Sequence, residues 1–160
     1  MRKKYKPAFS TFVEVLRSRA IYDSDKMAVM FLPDDGSEPV SMDYQRLDLE
    51  ARAIAVELRR HCSMGDRALM LYNSSIEFVT AFLGCLYAGL VAVPAYPPRK
   101  NRKLDRLESI VRDCDAKIVL TTGQLMRVAE PMFAEVEELS KMHWLTNDEI
   151  DYSLAEEWKD

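Results

Sequence analysis

Residues 67–98, RALMLYNSSIEFVTAFLGCLYAGLVAVPAYPP, read in order as a strand, a turn, an apolar helix, a glycine stop and a second strand. Ala68 to Tyr72 is a short, nearly all-apolar run between Gly65-Asp66 and Asn73-Ser74-Ser75, the pattern of a strand buried on both faces of a parallel sheet. Asn73, Ser74 and Ser75 are helix-start residues. From Ile76 to Ala88 apolar side chains cover most of the circumference, Gly89 supplies a left-handed stop, and Val91-Ala92-Val93 resumes an extended run. A strand, helix and strand so joined are expected to form a right-handed βαβ unit with parallel strands.

Working outward toward the N-terminus, Asp43 caps a long helix with Tyr44, Leu47, Ala51, Ile54, Ala55 and Leu58 at three- and four-residue steps. The opposite face, with Arg46, Asp48, Glu50, Glu57 and Arg59, reads as solvated. Before it, Met27 to Leu32 and Pro39 to Met42 flank the turn Pro33-Asp34-Asp35-Gly36 and predict a β-hairpin. Thr11 and Glu14 have capping-box spacing ahead of a short amphipathic helix.

Toward the C-terminus, a Pro-rich loop precedes a helix with Leu104, Leu107, Ile110, Val111 and Cys114 on one side, and Lys117 to Thr121 is a third parallel strand. A helical stretch broken or restarted at Pro131 follows, with Met132, Phe133, Val136 and Leu139 inward and Glu130, Glu135, Glu137 and Glu138 outward. His143-Trp144-Leu145 is a fourth, weak strand, and Ser153 with Glu156 predicts a capped terminal helical turn containing Trp158. The fold class is α/β: a mostly parallel sheet with helices on both faces, preceded by a β-hairpin. Residues 1–60 carry the helix, hairpin and long helix, and residues 65–160 the parallel α/β unit.

A chain of 160 residues with 48% apolar residues and a net charge of -4 is an ordinary globular chain of one domain. The mildly acidic balance argues against a nucleic-acid binder, which would usually show a concentrated basic stripe and a high pI. Cys62, Cys85 and Cys114 are scattered and odd in number, which points to small core residues in a reducing compartment. Ser10, Thr11 and Glu14 interrupt the only signal-like start, and no apolar segment reaches spanning length, so a cytoplasmic location is expected.

GDRALMLYNSSIEFVTAFLGCLYAGLVAVPAYPPR resembles the segment near the start of the fatty acyl-AMP ligases, a branch of the adenylate-forming superfamily. LYAGLVAVP, residues 86–94, is similar to that superfamily's early strand motif, and SMDYQRL, residues 41–47, to the motif before it. AYPPR favours the fatty acyl-AMP ligases over the CoA ligases. The turn Asn73-Ser74-Ser75 departs from the Pro and Gly often found there. The resemblance implies a partial N-terminal domain of an enzyme that activates a fatty acid with ATP and Mg and passes it to an acyl carrier protein. In relatives the Ser/Thr/Gly-rich phosphate loop follows shortly after the position of Trp158, and the later nucleotide motifs and C-terminal lysine follow in turn. The 160 residues alone are therefore expected to lack catalysis and tightly bound cofactor, with no catalytic or metal residue assigned. The alternative is a stand-alone, non-catalytic α/β binding module on the same scaffold.

Four local features bear on binding. Thr121-Thr122-Gly123 and Asn73-Ser74-Ser75 each stand between a strand and a helix, where free N–H groups can hold phosphate, but without glycine-rich spacing or a lysine they read as plain caps. Arg99, Lys100 and Arg102, with Lys103, place positive charge at a helix start, a candidate contact for an anionic ligand or carrier beside the plainer reading of a solvated loop. His61 and His143 have no ligand-spaced companions and read as surface or structural residues. Gly84 is expected to mark a close approach of its helix to the sheet. Uncovered apolar surface on the hairpin, or an open sheet edge, would favour a homodimer.

Overall fold

Thr11 opens the first helix, α1 (Phe12–Tyr22), with a reciprocal cap: its hydroxyl accepts from the Glu14 N–H at 3.1 Å, and the Glu14 carboxylate accepts from the Thr11 N–H at 3.3 Å. The structure is a computed structural model that describes residues 9–34, 36–97, 105–133 and 137–160. β1 (Met27–Phe31) and β2 (Val40–Asp43) pair antiparallel with Val29 opposite Met42, which turns both toward the core. Asp43 then caps α2 (Tyr44–His61), accepting from the Arg46 N–H at 2.8 Å.

β3 (Arg67–Leu71), α3 (Ile76–Ala88) and β4 (Val91–Ala95) form the βαβ unit, and Gly89 ends α3 at φ 78°. The Leu90 and Gly89 N–H groups accordingly reach back to the Cys85 and Leu86 carbonyls. α4 (Asp105–Cys114), β5 (Ile118–Thr121), α5 (Gly123–Phe133), α6 (Glu137–Ser140) and β6 (His143–Thr146) complete the main sheet. Two 3-10 turns, Asn147–Glu149 and Tyr152–Glu157, follow.

The four main strands are all parallel in the order β4-β3-β5-β6. Their period-two alternation divides the core in two. Ala68, Met70, Ile118 and Leu120 pack with Ile54, Leu58 and Tyr87 of α2 and α3, while Leu69, Leu71 and Val119 pack with Leu107, Val111 and Leu139 of α4 and α6. Each fully buried Leu or Ile contributes roughly 1.5–3 kcal/mol of apolar transfer, so burial on both faces holds the sheet between its helices. Step β3 to β4 runs one way with α3 on one face, and β5 then lies on the other side of β3 with α4 on the opposite face, as two crossovers of one hand require.

Several expectations change. Asp48 and Glu50 do not face solvent; they are 2% and 5% exposed. Asp48 accepts from Arg17 of α1 at 2.7 Å, Arg52 at 2.9 Å and the Tyr87 hydroxyl of α3 at 2.8 Å. A carboxylate with three donors can be buried at a face that apolar periodicity alone marks as solvated. Burial, with the Asp48 charge next, pushes the Tyr87 phenol up. Glu50 holds Arg46 at 2.8 Å. Gly84 meets α2 and not the sheet: a Cβ built there would stand 2.4 Å from Ile54 Cγ2.

The helix at Pro131 is not broken there but runs two residues further, to Phe133, since a proline this close to the end removes one terminal hydrogen bond. Of the side chains assigned inward or outward on this stretch, Leu139 is buried and Glu137 and Glu138 are exposed. Glu135 and Val136 lie outside the described residues, as do Leu104 and the side chains of Glu130, Met132 and Phe133. The terminal turn is 3-10, and its cap is Asp151, which accepts from the Ser153 N–H at 2.9 Å; that bond holds its carboxyl below the usual range. Trp158 stands just past it, tilted on Tyr87 at 5.2 Å, with the guanidinium groups of Arg17 and Arg59 over its ring at 5.6 and 5.7 Å. Arg59 also donates to the Tyr87 carbonyl at the end of α3 and to the Lys159 carbonyl, so it ties the last segment to the helix layer.

Candidate functional site

β3 leads into α3 on one face of the sheet and β5 into α5 on the other, so the chain parts at their carboxyl ends. In α/β sheets such a switch point opens a crevice where ligands commonly bind. Here Tyr72, Asn73, Ser75, Glu77, Thr122, Gln124, Leu125 and Asp148 line a crevice of about 180 Å³. That is below the roughly 300–1,000 Å³ that encloses a drug-sized ligand, so it suits one polar end of a molecule.

The floor is a closed hydrogen-bond network. The Tyr72 hydroxyl lies 3.3 Å from the Thr121 carbonyl and 3.2 Å from Asn147 Oδ1, and Asn147 Nδ2 donates to the Glu77 carbonyl at 3.0 Å and to Thr80 Oγ1 at 3.2 Å. Thr121 Oγ1 donates to the Leu71 carbonyl at 2.8 Å, which links the ends of β3 and β5 directly. Burial, with smaller contributions from Cys85, Asp148 and Glu77, pushes the Tyr72 phenol well above its ordinary range. It therefore stays a neutral donor and fixes the register of the two strand ends.

Both helix starts at the crevice are capped from within. Ser75 Oγ accepts from the Phe78 N–H at 3.4 Å, Thr122 Oγ1 from Leu125 at 3.2 Å, and Asp148 Oδ1 from Gly123 at 2.8 Å. A phosphate arriving at Gly123 would meet the Asp148 carboxylate already on its N–H, and no described lysine or arginine lines the crevice. The residues present therefore do not fit the phosphates of a nucleotide, and both sequence candidates are caps. Among the described residues no three His, Cys, Asp or Glu side chains could hold a metal ion, and no helix is long and apolar enough to cross a membrane.

Arg99, Lys100 and Arg102 lie outside the described residues. His61 and His143, remote in sequence, stack at 4.0 Å, a contact that spacing could not reveal. Asn147 and Asp148 were also missed: an Asn-Asp pair after a weak strand signals only a turn, and their partners lie about 70 and 25 residues away.

The profile of the AMP-binding enzyme family matches residues 16–159. This chain belongs to that family. The chain is 40% identical over 158 residues to the medium-chain-fatty-acid–[acyl-carrier-protein] ligase JamA of Moorena producens, covering 96% of this chain and 27% of the ligase. A solved fatty acid AMP ligase from Legionella pneumophila superposes with TM-score 0.85 at 32% identity, over 99% of this chain and 27% of that one. A fatty acyl-adenylate ligase from L. pneumophila, solved in complex with acyl adenylate and pyrophosphate, superposes with TM-score 0.81 at 33% identity over 92% and 25% of the two chains. The chain thus spans about a quarter of the length of these relatives, and within the family its similarity runs to the fatty acyl-AMP ligases.

Proposed function

We propose that the chain is the N-terminal portion of an enzyme that joins a fatty acid to AMP and passes the acyl group to an acyl carrier protein in the cytoplasm. The fatty acid carboxylate attacks the α-phosphorus of ATP and releases pyrophosphate; a carrier thiol then takes the acyl group and releases AMP. Mg belongs to this reading as the ion that accompanies ATP. The observation that carries it is the 40% identity along 96% of the chain to a ligase named for loading a fatty acid on a carrier protein.

The residues described here contribute the scaffold and not the chemistry, since the crevice fits no nucleotide phosphate. Arg99, Lys100 and Arg102 are the proposed contact for the anionic surface or phosphopantetheine arm of the carrier. A chimera in which these 160 residues replace the matching quarter of the Moorena ligase should load a medium-chain fatty acid onto carrier protein. Alanine at all three basic positions should raise the KM for carrier and leave acyl-AMP formation unchanged. An unchanged carrier KM would refute the contact, whereas a folded chimera that forms no acyl-AMP would refute the activity.

A further inference from the structure

We propose that residues 151–159 form a hinged strap that opens and closes as one unit over α2 and α3, its grip set by the buried Asp48 carboxylate. Asp48 has three donors, Arg17, Arg52 and Tyr87, and each of them also touches the strap. Arg52 Nη1 donates to the Ala155 carbonyl at 2.5 Å, and the Arg17 guanidinium lies over the Trp158 ring. Tyr87 offers its ring to Trp158, and its carbonyl accepts from the indole N–H at 3.2 Å. Outside this set, Arg59 holds the Lys159 carbonyl at 2.5 Å, and Arg60 reaches Glu157 at 3.4 Å.

The segment before the strap is pinned separately. Asn147 is 2% exposed and bonded to α3, Asp148 caps α5, and Ile150 packs on the core. Ile150 and Asp151 are extended, at ψ 135° and 110°, and make a two-residue joint between the 3-10 turns. Past that joint the strap buries one residue, Ala155, and is held by arginines on its carbonyls and by the face of one indole. A segment with so little buried apolar surface opens at a free energy below that of the whole chain. A buried carboxylate that orients three gripping groups makes their contacts interdependent, so losing one loosens the rest. Closed, the strap fixes where the polypeptide leaves the helix layer. Open, the polypeptide leaves from Ile150, and the Arg52 and Arg59 donors that held the strap's carbonyls are freed.

Hydrogen exchange of the 160-residue chain tests this, read by NMR at the Leu154 and Trp158 amides and the Trp158 indole N–H, with β3 amides as the reference for global unfolding. The three strap sites should share one protection factor, at least about a hundredfold below that of β3. Low urea should reduce protection in β3 and leave the strap's unchanged, because opening exposes little surface. Val119→Ala, in the core on the far face of the sheet, should likewise reduce β3 protection by about tenfold and leave the strap alone. Trp158→Phe should speed exchange at the Leu154 amide, and Arg52→Met at the indole, each by about tenfold although neither side chain is bonded to the site read. Trp158→Phe lies outside the core and decides the point alone if Arg52→Met fails to fold. Strap sites that follow β3 in urea and in Val119→Ala would overturn the separate opening. Substitutions that act only on their own neighbours would overturn the shared grip.

Discussion

Replacing Gly84 by alanine tests the close contact of α3 with α2. A Cβ at this position would lie 2.4 Å from Ile54 Cγ2 and 2.7 Å from Ile54 Cβ. Carbon atoms pack at about 3.5–4.0 Å, so the shortfall exceeds about 1 Å. Ile54 is fully buried and β-branched, so its χ1 is strongly restricted in a helix, and no rotamer change moves its Cβ away. Overpacking of this kind costs roughly 1–3 kcal/mol, against roughly 1 kcal/mol gained in helix propensity when glycine becomes alanine. The net loss should be up to about 2 kcal/mol, or a Tm lower by up to about 8 °C for a chain of this size. Thermal and urea unfolding followed by circular dichroism measures it, and a Gly84→Leu variant should fall further. In an Ile54→Ala background the cost of Gly84→Ala should shrink, because Cγ2 is gone. A Gly84→Ala variant that melts at or above the parent, or a cost equal in both backgrounds, would show that α2 and α3 do not meet at this glycine.

Other positions give further expectations. Asp48→Ala leaves Arg17, Arg52 and the Tyr87 hydroxyl without their common partner and should destabilise by about 3–5 kcal/mol, read by urea unfolding; a loss under about 1 kcal/mol would mean the network is solvated. Burial pushes the Cys85 thiol up to about 12, so at pH 8 it holds almost no thiolate and should react with an aromatic disulfide reagent only after denaturation, as mass spectrometry of labelled peptides would show. Arg59→Ala removes the bonds to the Tyr87 and Lys159 carbonyls and should expose Trp158, with a red-shifted emission and easier acrylamide quenching. The hairpin leaves Met30 and Leu32 exposed, so light scattering over a concentration series should show self-association that Met30→Lys and Leu32→Lys suppress.

Local order carried most of the fold. Thr11 with Glu14, Asp43, Ser75 and Gly89 mark helix ends because each acts on backbone within four residues, and such contacts are written in spacing. Strand order was not legible, since nothing in Ile118 to Thr121 says that β5 joins β3 and not β4. Pro94 does explain the edge in retrospect: Val91 donates toward β3, so by alternation the missing N–H of Pro94 falls on the open side, where it also blunts that edge against further pairing. Asp48 was misread because periodicity records what water avoids and cannot show that Arg17 of α1 and Tyr87 of α3 will join Arg52 of its own helix on one carboxylate. The crevice was hidden for the same reason: its floor joins Tyr72 just past β3, Thr121 at the end of β5 and Asn147 after β6.

Fatty-acid-dependent exchange of labelled pyrophosphate into ATP tests the central claim most directly. The 160 residues alone should give none, because none of the described residues cradles a phosphate, and the chimera carrying them in place of the first quarter of the Moorena ligase should exchange with medium-chain acids. Exchange by the isolated chain, or a stably folded chimera that is silent with every fatty acid tried, would contradict the account.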